Sequence, residues 1–200
     1  MKISKIKLSK SGKKYYRFFY KDIEPQLSLI NGNFIERPHS MLEDSIFFAE
    51  EKHITKWIDH GDVLAEVLFD SNHPLFEKLP NTYFVTNDIY CGKAIILGKI
   101  ILGKIIQLNQ FEMSKFIIEH FDFNKSTNHL QHHLIKNKAY DTLEQIWKHK
   151  YNILGDRDKN KDLLEAIALI KAEFLPNCTL EQKSKYLNCN DWDTLKRFFN

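Results

Sequence analysis

Residues 95–106 read Ile-Ile-Leu-Gly-Lys-Ile-Ile-Leu-Gly-Lys-Ile-Ile, and this stretch separates two halves of the chain that differ in character. It contains the unit Ile-Ile-Leu-Gly-Lys twice and begins a third copy. A five-residue period matches neither the alternation of a strand nor the helical period of about 3.6 residues. In a strand, side chains five residues apart point to opposite faces, so both faces would be apolar. The stretch therefore predicts a buried strand pair, or one long kinked strand, with bulges or a tight turn at its glycines.

The chain before this stretch carries the signals of β-strands. Three runs rich in aromatic and β-branched residues predict strands: Tyr15–Tyr20, Val63–Phe69 and Tyr83–Thr86. A helix is predicted within Glu50–His60, because Ile54, Trp57 and Ile58 recur at helical spacing and form an apolar stripe. Residues 1–107 are therefore predicted to form a β-rich N-terminal domain with one or two helices.

The chain after this stretch is predicted to be helical, since apolar residues recur at spacings of three and four with short links between segments. The charged segment Asp156–Asp162 predicts a loop between helices, and the proline in Leu175–Asn177 predicts a break. Thr179 is suited to cap a helix that begins at Leu180. Residues 108–200 are thus predicted to form an antiparallel helical array, which makes the chain α+β.

The composition is that of a soluble globular protein, with 43% hydrophobic and 28% charged residues among 200. Cys91, Cys178 and Cys189 are far apart, which argues against a secreted disulfide scaffold and indicates a reducing compartment. Lys99 and Lys104 interrupt the longest apolar run, so neither a membrane span nor a membrane partner is predicted. We expect an intracellular protein.

Positive charge is concentrated at the N terminus, where residues 1–21 contain eight Lys or Arg and no Asp or Glu. Four of these cations are interleaved with aromatic residues and are candidate nucleic-acid contacts: Lys10, Lys13, Lys14 and Arg17. The alternative is an exposed first strand whose lysines block edge-to-edge aggregation. The other 179 residues contain 21 basic and 26 acidic groups, and this acidic balance argues against nucleic acid as the partner.

Two motifs resemble sites for cofactors or metals but lack essential residues. Gly98, Gly103 and Lys104 have the spacing of a phosphate-binding loop, yet Ile105 stands where Ser or Thr would hold Mg²⁺. His129, His132 and His133 would share a helix face, but without a His-Glu-x-x-His pattern they predict an exposed helical surface rather than a metal site. No cofactor, metal or catalytic residue is therefore predicted.

Three segments after residue 108 resemble the second helix of an ankyrin repeat. They are Asn-Gln-Phe-Glu-Met-Ser-Lys-Phe-Ile-Ile-Glu-His at 109–120, Lys-Ala-Tyr-Asp-Thr-Leu-Glu-Gln-Ile-Trp-Lys-His at 138–149, and Asn-Asp-Trp-Asp-Thr-Leu-Lys-Arg-Phe-Phe at 190–199. Phe111, Tyr140 and Trp192 align at separations of 29 and 52 residues, whereas regular ankyrin repeats recur about every 33 residues. The tetrad Thr-Pro-Leu-His is absent from the sequence. The resemblance is to degenerate ankyrin-like helix pairs.

The N-terminal half resembles a leader domain that precedes ankyrin-like repeats in proteins of giant DNA viruses, including mimivirus-like ones. The segments that carry this resemblance follow the same order of strand, helix, strand and closing strand: Ser45–Ala49, Ile54–Gly61, Val63–Val67 and Gly92–Gly98. The resemblance implies a β-rich cap followed by helix pairs, in the host cytoplasm. It implies no catalytic residues.

The sequence therefore favours a non-catalytic protein-interaction module, with a host or viral protein as partner, since stacked helix pairs form grooves that bind proteins. Four aromatic residues are candidate interface anchors or, at the same helical spacing, core residues: Trp147, Trp192, Phe198 and Phe199. A homodimer fits equally well. Two alternatives remain open, a nucleic-acid-binding accessory protein that uses the basic arm, and an enzyme with a site near His39 in the sheet domain.

Overall fold

The computed structural model describes residues 1–21, 34–35, 46–88, 92–96, 99–123 and 127–200. The chain divides into two compact units, Met1–Gln107 and Leu108–Asn200. We refer to them as the sheet unit and the helical unit. The first contains an antiparallel sheet and the second a series of helices, so the fold is α+β with a β-rich N-terminal part, as the sequence predicts.

The sheet unit is built on eight strands among the residues described: β1 (Lys2–Ser4), β2 (Tyr15–Phe19), β3 (Phe34–Ile35), β4 (Phe47–Glu50), β5 (Val63–Leu68), β6 (Thr82–Asp88), β7 (Gly92–Ile96) and β8 (Ile100–Gln107). Their order is β1-β6-β7-β4-β2-β5-β8-β3, with antiparallel pairing throughout. Short helices connect them: α1 (Lys5–Ser9), α2 (Glu51–Ile54), and 3-10 turns at Thr55–His60 and Phe76–Lys78.

The core of the sheet unit is rich in aromatic rings. Tyr15, Phe48, Phe69 and Tyr83 are buried and contact one another, with ring centroids 5.4–6.0 Å apart. Most of these pairs are edge-to-face, the arrangement that places a positive ring edge against a negative ring face. The predicted helical stripe of Ile54, Trp57 and Ile58 is also buried, as α2 and the 3-10 turn that follows it.

Two strands that are not neighbours contain the described strand residues of the Ile-Ile-Leu-Gly-Lys repeat: Ile95 and Ile96 end β7, and the second copy lies in β8. β7 lies between β6 and β4, whereas β8 lies between β5 and β3. The prediction that the repeat forms two paired strands is therefore wrong, because β7 and β8 do not pair with each other. The prediction that both strand faces are apolar is confirmed, because the consecutive residues Ile100 and Ile101 are both fully buried.

The basic N-terminal segment does not form an exposed edge as a whole. β1 is an edge strand, but β2 lies in the interior of the sheet between β4 and β5. Phe18 and Phe19 pair with Leu64 and Val63 of β5, and all four side chains are buried. The edge-strand interpretation is thus wrong for β2, because its aromatic residues pack in the core.

The helical unit contains six α-helices within its described residues: α3 (Phe111–His120), α4 (Asn128–Lys136), α5 (Tyr140–Leu154), α6 (Lys159–Phe174), α7 (Leu180–Leu187) and α8 (Trp192–Phe199). α3 packs on α5, α4 packs on both α5 and α6, and α6 packs on α8. Helices that alternate along the chain therefore lie side by side.

Two local predictions at helix ends have opposite outcomes. Thr179 caps α7 as predicted, since its hydroxyl accepts a hydrogen bond from the Gln182 N–H, and the Gln182 side-chain oxygen accepts one from the Thr179 N–H, which completes a capping box. Asp156–Asp162, in contrast, is not a loop throughout. A 3-10 turn covers Asp156–Asp158 and α6 begins at Lys159, so Asp162 lies inside a helix.

Candidate functional site

A groove lies between α4 and α6 of the helical unit, with a volume of about 450 Å³. The two helices pack directly on each other. The side chains that line it are Asn128, His129, Gln131 and His132 from α4, and Glu165, Ala168 and Leu169 from α6. The site therefore combines amide, imidazole and carboxylate groups with an apolar wall.

α6 presents one row of exposed apolar side chains, two of which are small. Leu164, Ala168 and Ala172 follow one another at intervals of four residues, so they lie on one helix face, and all three are exposed. Ala168 lines the groove, where its methyl group leaves room for a side chain of another molecule. Leu164, which is 61% exposed, adds an apolar surface one turn away.

The floor of the groove is Gln131, a polar side chain that is only 2% exposed. Its amide nitrogen donates a hydrogen bond to the Asp162 carbonyl at 3.2 Å, and its amide oxygen accepts one from the Trp147 indole at 3.1 Å. Both ends of the amide are engaged, so the orientation of the side chain is determined. The floor is therefore a rigid polar surface.

A buried ion pair supports the base of α6. The Lys150 ammonium lies 2.6 Å from Asp162 Oδ2, and both side chains are less than a tenth exposed. The Tyr151 hydroxyl donates to the same oxygen at 3.0 Å. Burial and the Asp162 charge both raise the pKa of the Tyr151 phenol, which stays protonated and keeps donating. Sequence reasoning missed this group, because a run of charges indicates a solvated segment.

The three histidines of α4 do not share one exposed face. His129 and His132 are exposed at the groove, whereas His133 is only 5% exposed and contacts the Asn137 side chain. The prediction of an exposed face is therefore wrong for His133. The reason is that α4 packs on both α5 and α6, which leaves only a narrow strip of the helix in solvent.

The predicted aromatic anchors belong mainly to the core. Trp147, Trp192 and Phe199 are less than a tenth exposed, and the two indole rings contact each other with centroids 5.3 Å apart. Phe198 is half-buried and stacks on Tyr186 at 3.9 Å. The sequence leaves open whether these aromatic residues are interface anchors or core residues. The three buried rings are core residues, because a partner cannot reach them.

The fold places the predicted nucleic-acid contacts in different environments. Arg17 is 3% exposed and its guanidinium donates to the Phe47 carbonyl at 3.4 Å, so it cannot contact a phosphate backbone. Lys10 is exposed, and Lys13 and Lys14 form ion pairs with Glu50 and Glu51. The prediction is wrong for Arg17 because β2 is an interior strand.

Other candidate residues have different outcomes. His39, Cys91 and Gly98 lie outside the described residues, so the enzyme hypothesis near His39 stays a prediction. Gly103 and Lys104 lie within β8, in an extended strand rather than a phosphate-binding loop. Cys178 and Cys189 are half-buried.

Two polar groups of the groove are engaged with other groups of the protein. Glu165 forms an ion pair with Lys161 at 3.8 Å, and the floor amide is engaged on both sides. Across the residues that the structure describes, no three His, Cys, Asp or Glu side chains come together as a metal-binding group. Within the same residues, no helix has the length and hydropathy needed to cross a membrane.

Compared with known proteins, the chain matches no family model, no curated protein and no solved structure.

Proposed function

We propose that this protein is a non-catalytic protein-interaction module, and that its groove between α4 and α6 receives apolar side chains from a helix of a partner protein. The groove volume of about 450 Å³ carries this proposal. It falls within the range of about 300–1,000 Å³ that is typical of binding pockets. Several side chains anchored along one helix face would fill a groove of this size and shape.

The exposed row on α6 supports the same function. Leu164 is a large apolar side chain in solvent, one helical turn from Ala168 in the groove. Apolar surface that adjoins a groove is typical of protein-binding sites. On α4, the exposed imidazoles of His129 and His132 provide polar groups at the margin, where hydrogen bonds orient a partner.

The proposed partner is a host or viral protein inside the cell, in keeping with the resemblance to proteins of large DNA viruses. That resemblance stays a prediction. A second copy of this chain is the other candidate occupant, since a groove and an exposed apolar row on one surface suit a symmetric dimer.

The test is an affinity capture with the 200-residue chain as bait, in three forms: wild type, Ala168→Trp and Ala172→Trp. Both alanines are exposed on α6 one turn apart, but only Ala168 lines the groove. We expect the Ala168→Trp bait to lose a partner more than about tenfold, because the indole fills the groove, while Ala172→Trp retains it. The lysate is treated with nuclease, and the capture is repeated at low and high salt.

Three outcomes bear on the proposal. A partner lost only from the Ala168→Trp bait supports it, as does a homodimer in light scattering that this substitution alone dissociates. Capture that is equal for all three baits, or that disappears after nuclease treatment, contradicts it. Equal thermal midpoints for the three proteins exclude misfolding as the cause.

A further inference from the structure

Five lysines gather at one end of the sheet unit, and we call them the lysine cluster: Lys13, Lys14, Lys52, Lys56 and Lys93. They come from three separate segments of the chain. β7, β4 and β2 are neighbours and run antiparallel, so the start of β7, the end of β4 and the start of β2 meet at one end of the sheet. α2 begins there directly after β4. All five lysines are exposed.

Two carboxylates lie within this cluster, and three of the lysines already share them. Glu50 accepts a hydrogen bond from Lys13 at 2.7 Å and lies 3.6 Å from Lys52. Glu51 lies 3.8 Å from Lys14. Among the side chains that the structure describes here, five ammonium groups face two carboxylates, an excess of three positive charges.

The positive charge of the cluster lowers the pKa of two neighbouring groups, Glu50 and His53. Burial alone would raise the pKa of the Glu50 carboxyl, but the Lys13 hydrogen bond and the charges of Lys13, Lys52 and Lys93 together lower it. Burial lowers the pKa of the His53 imidazole, and Lys52, Lys56 and Lys93 lower it further against the opposing charge of Glu50. The lysines therefore act on shared neighbours and form one electrostatic site.

We propose that the lysine cluster binds the phosphate backbone of a nucleic acid. Ammonium groups held at one rigid end of a sheet would neutralise successive phosphates and release their counterions. The cluster offers charge rather than stacking, since the Tyr16 hydroxyl beside it donates to Glu51 and the ring is half-buried. Binding of this kind depends on salt and not on base sequence.

The burial of the neighbouring apolar residues favours nucleic acid over an anionic membrane. Membrane-surface segments combine cations with exposed apolar side chains that enter the headgroup region. Here Ile54, Trp57 and Ile58, which follow Lys52 and flank Lys56, are at most 5% exposed. The surface therefore presents cations without a group that inserts into lipid.

The site differs from the one that the sequence predicts. Arg17 is buried, whereas Lys52, Lys56 and Lys93 come from later segments that the sheet brings beside Lys13 and Lys14. Deleting residues 1–14 would remove β1 and the buried residues Lys5 and Leu8, and would test folding rather than binding. Point substitutions on exposed lysines avoid this difficulty.

The test compares wild-type protein with the triple variant Lys52→Gln, Lys56→Gln, Lys93→Gln. Binding to fluorescein-labelled duplex DNA, and separately to single-stranded DNA, is followed by anisotropy between about 50 and 200 mM salt. For the triple variant on duplex DNA we expect a roughly tenfold or greater loss of affinity at the lowest salt concentration. We also expect the slope of log affinity against log salt concentration to fall in magnitude by about 3, which is nearly one unit per lost phosphate contact. The matched control substitutes Gln for three exposed lysines elsewhere: Lys78, Lys104 and Lys148.

The proposal is overturned if neither DNA binds the wild type, if the cluster and control variants weaken binding equally, or if vesicles containing phosphatidylserine bind while DNA does not. An NMR titration of His53 provides a local readout. Phosphates that neutralise Lys52, Lys56 and Lys93 should raise the pKa of His53, and an unchanged value in the presence of bound DNA would place binding elsewhere. The Ala168→Trp variant should bind DNA as the wild type does, so this site and the groove are tested independently.

Discussion

The burial of charged side chains is the property of single residues that the sequence predicts least well. Lys5, Arg17, Lys150 and Asp162 are all 7% exposed or less. A charge leaves water only if other groups of the protein replace its hydration. For Lys150 and Lys5 those groups lie 12 and more than 70 positions away along the chain. A local pattern of charges cannot indicate such a partner.

Lys5 illustrates how such a residue stabilises the fold. Its ammonium group donates to the carbonyl oxygens of Phe76, Glu77 and Leu79, each at 3.3 Å. These carbonyls belong to the 3-10 turn before β6 and the residue that follows it. We expect Lys5→Met to lower the free energy of unfolding by about 2 kcal/mol, because buried carbonyls lose a charged donor.

The measurement for Lys5→Met is denaturant unfolding, with Lys7→Met as the control. Lys7 lies on the same helix but is exposed, so its substitution should change stability by less than about 0.5 kcal/mol. Equal effects of the two substitutions would show that the carbonyl contacts contribute nothing.

At the scale of elements, local signals predict strands and helices well but not their neighbours. β5, β6 and the helical turn at α2 form where aromatic, β-branched and apolar-stripe patterns predict them. Ile95 and Ile96 of the first Ile-Ile-Leu-Gly-Lys copy end β7 and the second copy lies in β8, yet these two strands pair with other partners. Strand order depends on contacts between segments distant in sequence, and the apolar faces of many strands are interchangeable as partners.

One such contact brings Gly61 against the backbone of β2. A Cβ atom at Gly61 would lie 2.2–2.3 Å from the N, C and O atoms of Phe19, far inside van der Waals contact. The Asp62 N–H also donates to the Phe19 carbonyl at 3.1 Å, so the two segments cannot separate without losing a hydrogen bond. We expect Gly61→Ala to cost about 3 kcal/mol, because backbone atoms must move.

Thermal or denaturant unfolding measures this effect, and Gly12→Ala provides the contrast. Gly12 has a φ of +64° with open space where its Cβ would lie, so only conformational strain of about 1 kcal/mol is expected. A Gly61→Ala protein as stable as the wild type would show that β2 and the turn before β5 are not in close contact.

At the scale of the whole molecule, each compact unit has buried polar groups of its own. The pair Lys150–Asp162 lies wholly within the helical unit and adjoins the groove through Gln131. We expect Asp162→Asn to destabilise the helical unit by about 3 kcal/mol, since it leaves the Lys150 ammonium buried without its counter-charge. Hydrogen exchange should then rise in residues 108–200.

A double variant, Asp162→Leu with Lys150→Met, distinguishes the cost of an unpaired charge from the contribution of the pair. An apolar replacement of a buried ion pair is often close to neutral, so we expect most of the lost stability to return. If the double variant is less stable than Asp162→Asn, the pair itself contributes the stability. The groove variant Ala168→Trp serves as a reference, because Ala168 is exposed and touches neither charge.

The candidate groove was only partly predictable. The sequence identifies α4 and α6 as amphipathic helices and draws attention to His129 and His132. It does not indicate that these two helices pack together, that Ala168 faces the space between them, or that Gln131 forms the floor. Ala and Gln carry no strong local signal, and their role appears only when a second helix is beside them.

The sequence by itself determines the division into a β-rich and a helical half, the strands β2, β5 and β6, and the cap of α7 at Thr179, because these depend on residues close together along the chain. The tertiary structure alone decides that Arg17 and Trp147 are buried, that two copies of one repeat lie in separate parts of the sheet, and that lysines from three segments form one cluster. Burial and strand order arise from packing between segments that are distant along the chain. Because many apolar faces are similar, the sequence around a residue does not indicate which distant segment packs against it.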